Sequence, residues 1–359
     1  MDASKKYFTS RLLQWNTDVN DRHMPWKGEK NPYKIWLSEV ILQQTRVEQG
    51  WEYYNRFVAA FPTIMDLAKA PDTQVFKLWE GLGYYTRCKN LLATARYIAD
   101  ECRGQFPDQY EDILALKGVG PYTAAAIASF AYNLPHAVVD GNVFRVLSRF
   151  FANNTPVDST EGKRFFTALA NELLDKKQPG IYNQALMDFG AVVCKPQLPL
   201  CTQCPLQKKC GAYLTGMVSN LPVKEKTIVQ RTRWFFYFVM EYKGRLYVRK
   251  RGAKDIWENL YEFVLLESPA PTDMEEVKRS PGFKKMLTKN AYTAGPISKI
   301  YSQKLTHQTI HGQFARLHLK NAPELEGYEA VTEKELELLP FPKLITSYLK
   351  DKNVSLNLL

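Results

Sequence analysis

The chain contains no uninterrupted apolar run of the ~18 residues that a membrane-spanning helix needs. Its first stretch, Met1 to Thr9, is polar and charged, with no apolar core of a secretory signal. Membrane and export functions are therefore not expected, and the protein is read as cytoplasmic. Cysteine is scarce: six in 359 residues cannot make a disulfide scaffold. No internal repeat or low-complexity tract occurs, so neither a solenoid nor a long disordered tail is indicated. Across the first two hundred or so residues no period-two alternation occurs either, which leaves no room for a sheet there.

What is abundant is positive charge. The formal net charge is +11, a surplus that points to a polyanionic partner, of which nucleic acid is the commonest. A merely soluble basic protein would show the same surplus. The length suggests two domains. The first part reads as helices joined by short turns. Phe8, Leu12 and Trp15 recur at helical spacing, and Asn31-Pro32 reads as an N-cap with proline at the first helical position. That helix continues through Ile35, Trp36, Val40 and Ile41, and Gly50 interrupts the next pattern, at Trp51, Tyr54, Val58 and Phe61. Further helices are expected over 73–81, 87–103, 110–116, 122–132, 142–151, 162–174 and 181–193. After Gly216 the texture changes. Residues 217–230 read as a polar linker, and 231–359 as a small α/β domain. Strands are expected at 234–242 and 245–248 around a Lys243-Gly244 turn, and at 260–266, 297–305 and 313–319. Helices are expected near 274–287 and 333–349.

Four of the cysteines fall close together. Cys194, Cys201, Cys204 and Cys210 are separated by six, two and five residues. Thiolates are soft ligands, and four in one short loop can enclose a metal or a cluster. Structural zinc usually takes two Cys-x2-Cys pairs, and only one is present, so zinc fits less well. Pro196, Pro199 and Pro205 make the segment a loop, and Lys195, Lys208 and Lys209 suggest that it faces phosphate. Cys88 and Cys102 lie in a helical stretch and read as packing residues.

The run Leu116-Lys117-Gly118-Val119-Gly120-Pro121-Tyr122 stands between two helical patterns. Its glycines allow a tight turn and close approach to another molecule, and the next helix offers amides to a phosphate. An ordinary helix–helix turn would need no more. Asp140 precedes a helix and, alone, would be read as an N-cap. Glu39 is different: its helical neighbours Ile35, Trp36 and Leu42 are apolar. A carboxyl in such surroundings is expensive to ionise, stays protonated, and can serve as a general acid.

Taken together, the Gly118–Gly120 hairpin, Val138-Val139-Asp140-Gly141-Asn142-Val143 and the four-cysteine loop resemble the helix–hairpin–helix DNA glycosylase superfamily, over residues 5 to 215. Within it, the stretches Pro25-Trp26-Lys27, Pro32 to Val47, Gly81-Leu82-Gly83-Tyr84-Tyr85 and Gly118 to Thr123 are most similar to the adenine DNA glycosylase (MutY) family. The resemblance implies an all-α catalytic domain at 1–216, with its helix–hairpin–helix at about 110–131 and an iron–sulfur loop at 194–210. It implies a [4Fe–4S] cluster on the four cysteines. Glu39 would be the general acid, Asp140 the carboxylate facing the sugar, and Tyr122 and Asn142 their partners. Gln44 and Tyr84 would wedge into the DNA stack, and Thr45, Gly118, Gly120 and Lys27 would contact DNA. The family usually has arginine at position 27, and lysine cannot make the planar bidentate contact of a guanidinium. Lyase relatives of the endonuclease III type use a lysine after the hairpin to form an imine. Tyr122 cannot, so a monofunctional glycosylase is expected. Its substrate would be duplex DNA with adenine opposite 8-oxoguanine or guanine, and in a bacterium it would be nucleoid-associated. A monomer is the working expectation. An endonuclease III-like lyase and a non-catalytic iron–sulfur DNA-binding protein are the alternatives. Tyr122 argues against the first, and the presence of both carboxylates against the second.

The C-terminal part resembles the Nudix-like domain of that family through Trp257 to Phe263 and Leu305-Thr306-His307. It lacks the acidic Nudix hydrolase run, which implies binding rather than hydrolysis. His307 and His311 stand four apart in a segment read as loop and strand, so they are not taken as metal ligands. The family reads the oxidised guanine through Phe-Ser-His after Leu-Thr-His-x. Here Ile310 takes the serine's place, leaving Gln308, Thr309 and His311 as the polar candidates for lesion recognition. Ile310 is expected to pack under the loop or against the base, and serine in its place to leave the preference intact or strengthen it.

Overall fold

A computed structural model describes residues 3–43, 45, 47–225, 230–253, 255–268, 270–287 and 291–351. The first part is helical: α1 (Ala3–Asp18), α2 (Pro32–Leu42), α3 (Val47–Ala60), α4 (Ile64–Lys69), α5 (Asp72–Trp79), α6 (Tyr85–Asp100), α7 (Tyr110–Ala115), α8 (Pro121–Tyr132), α9 (Gly141–Phe150), α10 (Thr160–Leu173), α11 (Pro179–Val192) and α12 (Gly211–Leu214). The remainder alternates strand and helix: β1 (Arg231–Tyr242), β2 (Arg245–Lys250), β3 (Tyr261–Ser268), α13 (Met274–Arg279), α14 (Pro281–Met286), β4 (Tyr292–Ile297), β5 (Tyr301–Lys304), β6 (Gln308–Leu319), β7 (Glu329–Val331), α15 (Glu333–Leu338) and α16 (Lys343–Leu349). The all-α part followed by a small α/β part is the fold class expected from the sequence. Among the described residues no helix is long and apolar enough to cross a membrane.

The chain divides into two compact units, Met1–Lys69 with Asn90–Thr227, and Ala70–Lys89 with Ile228–Leu359. In the first, Phe8, Leu12 and Trp15 of α1 are buried against Val146, Leu147 and Phe150 of α9, Phe166 of α10, and Tyr182 and Phe189 of α11. Gly50 corrects one expectation: it lies inside α3 and does not interrupt it. A Cβ there would come within 2.6 Å of Leu42 Cδ2, so glycine is what lets α2 and α3 approach.

The second unit is built on a mixed sheet in the order β4-β6-β1-β3-β2-β7, with β5 also on β6. The β1–β6 pairing is parallel and the others antiparallel. Phe235 through Met240 on β1 are all buried. A central strand covered on both faces reads as a continuous apolar run, as this one does. The segment 70–89 joins this unit through hydrogen bonds: Phe341 N–H donates to Glu80 Oε1 at 2.8 Å, and Lys77 Nζ to the Leu339 carbonyl at 2.9 Å. Two expected helices are each split by proline. Ser280-Pro281 ends α13 and starts α14, with Ser280 capping the Phe283 N–H, and Pro340 and Pro342 separate α15 from α16. The expected strand at 297–305 is instead β4 and β5. The short α4 and β7 carry too few residues to show a period.

Candidate active site

The Asn31 side chain caps α2, accepting from the Tyr33 and Lys34 N–H groups at 3.0 and 3.4 Å. This helix is apolar nearly all round, and it carries Glu39 inward, 5% exposed. Burial pushes the Glu39 carboxyl up to about 7, and the Asp140 charge adds to this, while a hydrogen bond from the Tyr122 hydroxyl opposes it. Tyr122 is brought there by the hairpin. Gly118 takes φ +79°, where a side chain would be strained and a Cβ would meet Asn90 at 2.7 Å. Gly120 then opens α8, with Pro121 at its first turn. The Tyr122 phenol is buried and titrates far above its ordinary range, raised by burial and by the two carboxylates.

Asp140 caps α9, accepting from the Val143 N–H at 2.7 Å and from Asn142 Nδ2 at 2.6 Å. The cap reading and the functional reading thus meet in one residue. Burial lifts its carboxyl above the ordinary value, partly offset by those hydrogen bonds and by Arg145. Asn142 in turn accepts from Arg145 Nη2 at 2.8 Å. Glu39, Tyr122, Asp140 and Asn142 therefore form one connected group. Beside Glu39 lies a cavity of about 180 Å³, lined by Trp26, Lys27, Ile35, Ser38 and Gln184 among others.

Arg145 closes the Val-Asp-Gly-Asn-Val-x-Arg run that carries the resemblance, while Arg149, one turn on along α9, was not singled out from the sequence. Both are nearly buried. Arg145 Nε donates to the Cys194 carbonyl at 2.8 Å, and Arg149 donates to the carbonyls of Lys195 and Pro196 at 2.7 and 3.1 Å. They seat the cysteine loop on the helix that Asp140 caps. The four thiols are unbridged. Burial raises Cys201, Cys204 and Cys210, with Cys204 reaching about 12, and neighbouring thiols within the set raise them further. Thiols that crowd one another in a shielded loop suit a cationic body that can take all four as thiolates. Among the described residues no group of three or more His, Cys, Asp or Glu is gathered as a single metal ion requires.

Of the expected DNA contacts, Gln44 lies outside the described residues. Thr45 follows α2, its hydroxyl 3.4 Å from the Gln43 carbonyl. Tyr84 takes φ +49° and is 45% exposed. Its hydroxyl lies 2.8 Å from Thr306 Oγ1 in the same unit, and the Arg87 guanidinium sits 5.0 Å from its ring. Lys27 lines the cavity, donating to the Arg22 carbonyl at 2.8 Å and pairing with Asp188 at 3.0 Å. Lys209 stands over the Tyr7 ring at 4.9 Å.

Gln308, Thr309 and His311 lie on β6, so a loop across 306–311 gives way to a strand from Gln308 onward. His311 stacks on Trp234 at 4.5 Å, and its Nδ1 lies 2.7 Å from Ser302 Oγ. Strand alternation turns Ile310 to the opposite face, where it is fully buried. Serine there would leave a cavity and an unpaired hydroxyl. Ile310→Ser is expected to lower stability by roughly 3 kcal/mol, seen as a lower thermal midpoint. An unchanged midpoint would place residue 310 outside the core.

A buried carboxyl pushed up to about 7, a second carboxylate nearby, a glycine hairpin between helices and a cavity alongside are the geometry that the comparisons place among DNA glycosylases of base excision repair. Residues 37–170 match the HhH-GPD superfamily of base excision DNA repair proteins, and residues 236–351 match the NUDIX domain. An adenine DNA glycosylase of Buchnera aphidicola (subsp. Baizongia pistaciae) is 35% identical over 71% of this chain and 73% of its own length. That of Mus musculus is 43% identical over 60% of this chain and 44% of its own length. A thermostable thymine-DNA glycosylase structure, 29% identical, superposes with a TM-score of 0.55 over 59% of this chain and 97% of its own. An endonuclease III–DNA complex, 22% identical, shares the fold with a TM-score of 0.51 over 60% of this chain and 99% of its own. The chain belongs to the adenine DNA glycosylase family.

Proposed function

We propose that this enzyme removes adenine mispaired with 8-oxoguanine or guanine in duplex DNA. The observation that carries the reading is the buried Glu39, its carboxyl pushed up to about 7, hydrogen-bonded to the Tyr122 hydroxyl and within electrostatic reach of Asp140. The adenine is turned out of the helix into the cavity beside Glu39. Glu39 donates its proton to N7, and the C1′–N9 bond breaks with its electron pair passing to the base. The sugar is left as an oxocarbenium-like cation, which the Asp140 carboxylate stabilises. Water adds at C1′ and loses a proton, giving free adenine and an abasic site. Asn142 and the Val143 N–H hold Asp140 in place. Tyr122 supplies no amine, which favours hydrolysis over the lyase chemistry of the endonuclease III type.

Cys194, Cys201, Cys204 and Cys210 would hold a [4Fe–4S] cluster, supported by their four soft thiols in one short loop, each within electrostatic reach of others in the set, and by the seating of that loop by Arg145 and Arg149. When bound, such a cluster cross-links the loop through iron–thiolate bonds. Gln308, Thr309 and His311 remain the candidates for reading the oxidised guanine, with His311 already engaged by Trp234 and Ser302. The test is single-turnover reaction of the purified full chain with a duplex carrying adenine opposite 8-oxoguanine. Strand breaks are expected only after alkali, with little borohydride-trapped complex and about four irons per chain. Excision of oxidised pyrimidines with efficient trapping would favour the lyase reading instead, and stoichiometric zinc without iron would remove the cluster.

A further inference from the structure

Asp188 on α11 is shielded from solvent altogether, and no step above uses it. Each of its oxygens meets two donors. Oδ1 accepts from Arg22 Nη1 at 2.8 Å and from Gln184 Nε2 at 3.0 Å, and Oδ2 lies 3.0 Å from both Lys27 Nζ and Asn20 Nδ2. A carboxylate offers about four acceptor positions, so this one is fully used. Arg22 and Lys27 offer no acceptor, so both oxygens are engaged as acceptors. Gln184 must therefore turn its nitrogen toward Asp188, and the orientation of its amide follows from chemistry. Gln184 and Lys27 both line the cavity beside Glu39. Asn16, another lining residue, accepts from Asn20 Nδ2 at 2.8 Å.

We infer that Asp188 is a positioning residue for base selection: by holding the Gln184 nitrogen, it makes Gln184 Oε1 the acceptor that the cavity wall presents to the exocyclic amine of adenine. The inference rests on the adenine reading above. Adenine donates from N6. Hypoxanthine carries an oxygen there, so an acceptor would face an acceptor, while N7 and the glycosidic bond stay the same. A pocket wall locked as an acceptor rejects that analogue. An amide free to turn accommodates it.

The test compares single-turnover excision of adenine and of hypoxanthine from otherwise identical duplexes, each opposite 8-oxoguanine. In Asp188→Asn, whose amide both donates and accepts, the adenine rate should fall and the adenine-to-hypoxanthine ratio should narrow by about tenfold, roughly the worth of one such hydrogen bond. Adding Gln184→Glu to that variant returns an acceptor-only group to the wall and should restore the ratio. A role in holding the fold alone predicts equal losses on both bases and no restoration, and that outcome overturns the inference. Should Asp188→Asn fail to fold, Gln184→Leu leaves Asp188 with both cations and should narrow the ratio to the same degree; an unchanged ratio there also overturns it. Wild-type protein that leaves adenine in place would overturn the adenine reading together with this one. An active wild type with an unaltered ratio in Asp188→Asn overturns only this one.

Discussion

Glu39→Gln is expected to slow excision by ~10³-fold, within the range that a positioned general acid supplies, while mispair affinity is retained. Glutamine keeps the shape of the side chain and removes only the transferable proton. In the wild-type enzyme the acid is competent while protonated, so the single-turnover rate should hold below about pH 7 and fall tenfold per unit above it. The same shift bears on stability. Folding raises this carboxyl from its ordinary 4.5 to about 7. The raised group favours the folded state fully below about pH 4.5, and that contribution is lost as pH rises through 7. Above that range the buried charge costs on the order of 3 kcal/mol. Glu39→Gln should therefore melt higher than wild type at pH 8, with the gap closing toward pH 5. A variant that keeps its rate, or a gap with the opposite pH trend, would take Glu39 out of the acid's role.

Asp140→Asn isolates charge from capping. Aspartate and asparagine cap helices about equally well, so α9 should keep its start and the melting temperature should move little. The carboxylate that faces the cation is gone, however, and a neutral amide cannot balance a developing positive charge. Single-turnover excision should fall by ~10²- to 10³-fold, the usual loss when one preorganised electrostatic partner is removed. Asp140→Ala should add a stability loss of about 1 kcal/mol from the missing cap. If the asparagine variant cleaved at the wild-type rate, Asp140 would be a cap and nothing more.

Much of the fold was legible because local chemistry repeats along the chain. The apolar period of α1, the Asn31-Pro32 start of α2 and the glycine hairpin before α8 each follow from a few adjacent residues. Errors fell where the deciding contact is distant. Gly50 looks like a break until Leu42 is seen against it. Two helices were divided by a local signal instead, prolines within an apolar pattern that runs on past them. Ile310 looks like a loop residue until the pairing of β6 with β1 and β5 turns it into the core.

The sequence by itself determined the change from helices to a sheet-bearing part, the four-cysteine loop and the types of the two carboxylates, because spacing and composition are properties of the chain alone; that residues 70–89 join the second unit was settled only in three dimensions. Tertiary structure decided what those groups experience. The Glu39 carboxyl is pushed up to about 7 because packing shields it from water and brings the Asp140 charge near, against the opposing hydrogen bond from the Tyr122 phenol. Arg145 and Arg149 became the seat of the cysteine loop because it folds back onto α9. Asp188 gathers Asn20, Arg22, Lys27 and Gln184 because α11 packs against the segment before α2. A desolvation penalty or a saturated carboxylate exists only once distant segments exclude water together, and no local pattern records that.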